Sequence, residues 1–350
     1  MYMRVTLVGR DFDFSANDGI SRYSAEIYKG VRGKAITRLI ATYKLPKIVR
    51  PFYPAIITGS DIVHLMYPDV LRVRKGKARM LTMWHDLRLL SKYRSGSQQR
   101  YKPRFTESFN IAAGMVKRIA TGNYADTDTN ICNSSQTLKE LKSSMKQYCV
   151  YDASKRNVII PLGVDEAYLR TRVWRGERSD FVYLGTIHLR HKNLEGLLRV
   201  FDKVAAERKS RLHIFTSSPD AQPVLASVMQ GLKHVSDRNV LLHYRADDNT
   251  VAEYMSRAAA YLHLSTYEGQ GLPILNAMAS GTNALVLKDA TIPEETSRYA
   301  FKGTEEEIDE KAIALSSDPR PASKRAIGYA RGFTWQRMVR RTFAEYKRLL

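Results

Sequence analysis

The chain has 350 residues, 44% hydrophobic and 26% charged, with a formal net charge of +21. That size supports a large core in two domains, and the composition excludes a disordered or fibrous chain. No apolar run approaches the roughly 18 residues of a membrane-spanning helix, and two cysteines, Cys132 and Cys149, are too few for a disulfide framework.

In chain order, short apolar runs alternate with helical periodicity, the pattern of a parallel-sheet α/β protein. Strands are expected at residues 5–8, 35–41, 62–65, 80–84, 129–132 and 158–161. The chain from Met1 enters the first strand with no signal-peptide pattern. A reduced, cytoplasmic protein is therefore the expectation. Leu162-Gly163-Val164-Asp165 reads as a connection, and a second strand series follows at 181–185, 211–216, 240–243, 261–264 and 284–287. Two such series suggest two Rossmann-like domains facing a cleft, 1–165 and 166–333, with a terminal helix at 334–350.

The most informative stretch is Ser265-Thr266-Tyr267-Glu268-Gly269-Gln270-Gly271-Leu272-Pro273-Ile274-Leu275-Asn276-Ala277-Met278-Ala279-Ser280-Gly281. A buried strand precedes it, and Ile274, Leu275, Met278 and Ala279 recur at helical spacing after it. Gly269 and Gly271 let backbone approach a ligand, and Pro273 suits the first turn of a helix. Free N–H groups at such a helix start attract an anion. A neighbouring carboxylate, Glu268, accepts hydrogen bonds from hydroxyls. Phosphate plus hydroxyls points to a nucleotide sugar. A second turn, Gly185-Thr186-Ile187-His188-Leu189-Arg190-His191-Lys192-Asn193-Leu194, also follows a strand and opens a helix. Arg190 and Lys192 suit a diphosphate clamp. The plainer reading is two surface cations, although a cation at a helix start opposes the helix dipole.

The run EGQGLPILNAMASGT resembles the donor-binding signature of the retaining glycosyltransferases of the GT-B fold, family 4, which reads E-G-x-G-L-P-x-x-E-A-M-A-x-G. Glu268 matches the first glutamate, while Asn276 stands where the pattern has the second. Other segments are similar to the family in the same order. These are Asp18-Gly19-Ile20-Ser21 after the first strand, His85-Asp86, Ile131-Cys132-Asn133-Ser134-Ser135, Ile159-Ile160-Pro161-Leu162-Gly163-Val164-Asp165, and Phe333-Thr334-Trp335 with the last helix. The resemblance implies an α/β GT-B fold whose terminal helix crosses back to the N-terminal domain. It implies sugar transfer, with retained anomeric configuration, from a UDP- or GDP-linked donor to a hydroxyl on a sugar, lipid-linked or protein acceptor. No metal or other cofactor is implied.

The resemblance assigns catalysis to His85, Glu268 and Lys192. It assigns donor binding to Gly19, Arg190, Lys192, Glu268, Gly269, Gly271, Leu272 and Asn276. Glu268 would contact the sugar and Asn276 the ribose hydroxyls. Asn276 brings no charge, so a charge-assisted bond of roughly 1.5–3 kcal/mol becomes an ordinary one of about 1. The Glu268 turn is expected to be exposed. His85 has an alternative as a packed histidine under Trp84, with Asp86 as a helix cap.

The charge is uneven. Residues 1–165 carry 28 Lys/Arg against 13 Asp/Glu, and residues 166–350 carry 28 against 22. Around Arg94, Arg100, Lys102 and Arg104, basic residues interleave with Tyr93, Tyr101 and Phe105. An anionic membrane surface or acceptor is the expected partner. A nucleic-acid-binding protein is weighed from charge alone, but no recognition motif supports it. A catalytically weakened nucleotide-sugar-binding protein is weighed from Asn276.

Overall fold

The computed structural model describes residues 2–9, 19–41, 55–68, 71–87 and 107–350, with 107–115 described by backbone alone. These residues divide into two compact units. One runs to Gly163 and takes in Trp335–Leu350, and the other covers Val164–Thr334. Asp18 and the basic-aromatic group Tyr93, Arg94, Arg100, Tyr101, Lys102, Arg104 and Phe105 lie outside the described residues.

The first unit contains β1 (Arg4–Gly9), α1 (Gly19–Val31), β2 (Ile36–Ala41), β3 (Ala55–Ile56), β4 (Ile62–Leu65), β5 (Val73–Arg74), β6 (Arg79–Trp84), α2 (Glu107–Asp126), β7 (Thr129–Cys132), α3 (Ser135–Gln147) and β8 (Arg156–Ile159). Six strands form a parallel sheet in the order β2-β1-β4-β6-β7-β8, and β3 pairs with β5 apart from it. Central strands β4 and β7 are buried at every residue, as a sheet covered on both faces requires. In α1, Tyr23, Ile27 and Val31 recur every fourth residue and are buried, so one face of the helix is core. Ser134 caps α3 by accepting from the Thr137 N–H at 3.0 Å. Cys132 and Cys149 are free thiols.

The second unit contains α4 (Glu166–Arg170), β9 (Phe181–Leu184), α5 (Leu194–Glu207), β10 (Leu212–Thr216), α6 (Ala221–Met229), β11 (Val240–Tyr244), α7 (Asp248–Arg257), β12 (Ala260–His263), α8 (Leu272–Ala279), β13 (Ala284–Leu287), α9 (Glu294–Ser297), β14 (Phe301–Gly303), α10 (Glu305–Ser317) and α11 (Lys324–Arg331). Its parallel sheet runs β11-β10-β9-β12-β13-β14. From β9 the strand order goes outward one way through β10 and β11, then reverses to β12, β13 and β14. The crevice beyond the carboxyl ends of β9 and β12 is therefore the topological switch point, where such sheets bind ligands. Among the described residues, no helix is long and apolar enough to cross a membrane.

The last helix, α12 (Trp335–Leu349), packs in the first unit. It buries Trp335, Met338, Val339, Thr342 and Tyr346 along one side. Arg156 grips the Glu345 carboxylate at 2.6 and 3.0 Å, and the Tyr346 hydroxyl lies 2.6 Å from His64 Nδ1. Gly30 permits close approach of α1 and α12, because a Cβ there would lie 2.1 Å from Val339 Cγ1. Gly30→Ala should therefore destabilise the first unit by about 1–3 kcal/mol, the usual cost of overpacking. Gly231→Ala, where a Cβ meets nothing within 4 Å, should leave the melting temperature unchanged. Equal melting curves for the two variants would contradict this account of the α1–α12 contact.

Candidate functional site

Lys192 and Glu268 meet at the switch point of the second unit. After β9 the chain turns through a single 3-10 turn, Arg190–Lys192, and Asn193 takes the left-handed conformation at φ 51°. Asn193 Oδ1 then accepts from the Gly196 N–H at 3.1 Å, capping α5, while its Nδ2 donates to the Leu264 carbonyl at 3.1 Å. The Thr266 N–H donates to the His191 carbonyl at 2.8 Å. These bonds join the loop after β9 to the loop after β12, so Lys192 and Glu268 are held on connected backbone.

Within that frame, Lys192 Nζ donates to Glu268 Oε1 at 2.7 Å. Their side chains are only 16% and 11% exposed. His263 Nε2 lies 3.1 Å from the same oxygen, close enough for charge interaction but off the line of a hydrogen bond. The other ring nitrogen of His263 is 3.0 Å from the Tyr261 hydroxyl, which donates to the Leu184 carbonyl. Burial opposes charge on Glu268, but Lys192 and then His263 outweigh it and hold the carboxyl well below its usual range. Glu268 is thus an ionised, buried group, and the expected exposed turn is corrected. The backbone explains why: the Glu268 N–H donates to Thr291 and the Thr291 N–H to Thr266, which draws the turn under the segment before α9.

The glycine turn follows at once. Gly271 sits at φ +83°, a conformation that favours glycine, and precedes α8 with Pro273 in the first turn. Gly269 and Leu272 flank it, half-buried. Asn276 lies one turn into α8, 5% exposed, and its Oδ1 has no hydrogen-bond partner in the protein. Ser265 Oγ and Thr296 Oγ1 are also buried without partners, and Thr296 Cγ2 is 3.2 Å from where a Gly271 Cβ would stand. Buried acceptors of this kind are few in folded proteins and mark places where a ligand or water completes the bonding. Arg190 opens the 3-10 turn and is exposed.

His263 and Tyr261 escaped the sequence reading. Their signal was present: two polar-tipped residues at alternate positions near the carboxyl end of a strand that is otherwise apolar. Side chains two apart share a sheet face.

In the first unit, His85 follows β6 and is 7% exposed. Its Nε2 donates to the Met66 carbonyl at 3.1 Å, so that nitrogen carries the proton. Asn133 Nδ2 donates to the His85 carbonyl at 2.7 Å, and the Tyr23 ring meets the imidazole edge-on at 5.1 Å. Trp84 instead donates its Nε1–H to Asn130 at 2.9 Å. Gly19, the first residue of α1, is exposed. His64, a further buried polar residue in an apolar strand, links Tyr23 at 3.1 Å to Tyr346.

Residues 178–318, most of the second unit, match the family described as glycosyl transferases group 1. Over 184 residues the chain is 26% identical to the O-antigen chain mannosyltransferase B of Escherichia coli, covering 50% of this chain and 47% of that protein. It is 23% identical over 209 residues to the MMP alpha-(1->4)-mannosyltransferase of Mycolicibacterium hassiacum, covering 55% and 48%. The chain thus spans about half the length of the curated relatives it matches. Among solved structures, sucrose-phosphate synthase from Thermosynechococcus elongatus superposes with a TM-score of 0.66 at 15% identity, covering 99% of both chains. Two parallel-sheet Rossmann-like units and this structural likeness define the GT-B fold. The second unit is thus the part of the chain that is similar to the group 1 glycosyltransferases.

Proposed function

We propose that the protein transfers a sugar from a UDP- or GDP-linked donor to a hydroxyl acceptor, with retention of anomeric configuration and without metal. The Lys192–Glu268 pair beside the Gly271 turn, at the switch point of the second sheet, carries this reading. The second unit holds the donor. The N–H groups of Gly269, Gly271 and Leu272 face the diphosphate, and Lys192, with Arg190, meets charge developing on the leaving phosphate. Glu268 accepts from sugar hydroxyls, and Asn276 offers its unpartnered Oδ1 to the ribose. The first unit binds the acceptor, a sugar, lipid-linked or protein hydroxyl, and His85 is assigned a catalytic role. The acceptor oxygen bonds to the anomeric carbon on the face from which the phosphate leaves. The acceptor proton passes to the departing phosphate oxygen, so no separate base is assigned.

Melting curves test the donor assignment. A UDP- or GDP-sugar at about 100 times its dissociation constant should stabilise the protein by roughly 2.7 kcal/mol without added metal. No shift with any nucleotide sugar at millimolar concentration would refute it, and a requirement for Mg²⁺ or Mn²⁺ would refute the metal-free part. Sustained transfer to an acceptor separates an enzyme from a protein that only binds the donor.

The protein is further proposed to be cytoplasmic and to meet an anionic membrane or acceptor through the basic residues around Arg94, Arg100, Lys102 and Arg104. Each Lys or Arg near an anionic surface contributes about 1 kcal/mol. Co-sedimentation with anionic liposomes should fall with added salt and with alanine at those four positions. Indifference to such liposomes at low salt would exclude membrane docking. Specific nucleic-acid binding is not part of the proposal.

A further inference from the structure

The second unit has a concavity of ≈ 640 Å³ lined by α4, the segment after it and α7. Next to its lining segment, Arg178 bonds Ala258 and Thr282, just before β12 and β13, whereas Lys192 and Glu268 follow β9 and β12. Trp174 forms part of its wall and is 39% exposed, while the other two tryptophans, Trp84 and Trp335, are buried. The indole is held in place. Its Nε1 donates to the Glu177 carbonyl at 3.1 Å, and the Arg257 guanidinium lies 4.8 Å from the ring centroid. Gly176 lies against the ring, since a Cβ there would stand 2.8 Å from three indole atoms. Beneath the segment, Arg178 is 2% exposed and donates to the carbonyls of Trp174 and Ala258 and to the Thr282 hydroxyl. The wall is therefore anchored to the start of the sheet.

The lining is cationic. Arg257 pairs with Glu253 and Arg170 with Glu166, but Arg172 and Arg175 have no acidic partner among the described residues. Two uncompensated guanidinium groups beside a fixed indole suit a ligand that combines a carboxylate or phosphate with a saccharide surface. Arginine binds such anions through paired N–H groups, and the part of the Trp174 indole left exposed beside Arg257 and Gly176 adds an apolar surface. The volume falls in the range of small-molecule sites, roughly 300–1,000 Å³. A concave site of that size favours a discrete ligand over a membrane plane, and its lone exposed tryptophan gives no row of stacking platforms for nucleic acid. We propose that this pocket is a second binding site, separate from the donor site, for an anionic saccharide.

Tryptophan fluorescence of the full chain tests this, because Trp174 is the exposed indole. A hyaluronan hexasaccharide should change the emission saturably, while a neutral chito-hexasaccharide should not. Added salt should weaken the response. The Arg172→Ala/Arg175→Ala pair, both exposed, should weaken binding at least about tenfold, the scale of one lost charge-assisted bond. Gly176→Ala keeps the charge but displaces the indole, and should change the emission response and weaken binding. Equal binding of the neutral oligosaccharide, unchanged binding in the double arginine variant, or no response at millimolar ligand would each overturn the proposal. Saturable response to inorganic phosphate alone would reduce it to a simple anion site and overturn the saccharide assignment. A response confined to phosphatidylglycerol vesicles would replace it with a membrane contact. A UDP-sugar melting shift in the same preparation reports the donor site separately, so failure of one reading is not mistaken for failure of the other.

Discussion

Lys192→Ala should reduce turnover by about 10²-fold or more, the cost of removing one donor to developing transition-state charge. It should also destabilise the fold by roughly 3–5 kcal/mol, because Glu268 is left as a buried charge without its closest partner. Glu268→Gln should cut turnover as well, with a smaller stability loss, since the amide keeps the shape and can still accept from Lys192. Combining the two should recover part of the stability lost in Lys192→Ala but none of the turnover. Additive stability losses, or transfer at the parental rate in either single variant, would show that the pair does not carry the site.

The same pair sets a pH dependence. Glu268 is held well below its ordinary value of 4.5, so the unfolded chain binds its proton first as pH falls. Its contribution is present above about pH 4.5 and is lost as the solution is acidified toward the folded value. Glu268→Gln should flatten stability against pH in that acid range.

The second large effect is expected at the C-terminal helix. His64 is fully buried between the hydroxyls of Tyr23 and Tyr346, and burial, with a smaller contribution from His85, pushes its imidazole down to about 3. Its ordinary value is 6.5, so between pH 6.5 and about 3 the unfolded chain takes up a proton that the folded chain refuses. Stability from this group is present above pH 6.5 and declines steadily as pH falls through that window. Tyr346→Phe should cost roughly 1–3 kcal/mol at neutral pH, because a buried ring nitrogen loses its partner. It should also loosen α12, measured as faster amide exchange in that helix. His64→Phe should remove the pH slope between 6.5 and 3. If Tyr346→Phe melts like the parent, the hydrogen bond to His64 does not hold the helix.

Most strands were legible because each is a short buried run between turn residues. β4, β7 and β13 fall at the residues expected, and the others differ by one or two at their ends. β14, only three residues long, had no pattern to read and exists as a strand by pairing with β13. β3 and β5, two residues each, were invisible for the same reason.

The turn chemistry was also local and therefore readable. Gly271 at positive φ, Pro273 in the first turn of α8 and Ser134 at the start of α3 follow from residues within three or four positions of one another. Which groups would meet was not local. Lys192 and Glu268 are 76 residues apart, and their pairing depends on β9 and β12 being neighbours across the switch point. That adjacency also buries Glu268 and sets His263 beside it, turning an expected exposed carboxylate into an ionised buried one. His64 and Tyr346, 282 residues apart, meet because α12 leaves the second unit and packs on α1. Sequence by itself determined the two parallel-sheet units and the glycine turn, because hydrophobic period and backbone freedom act over a few residues. Tertiary structure decided charge state and partnership, because burial and Coulomb interactions depend on distance in space.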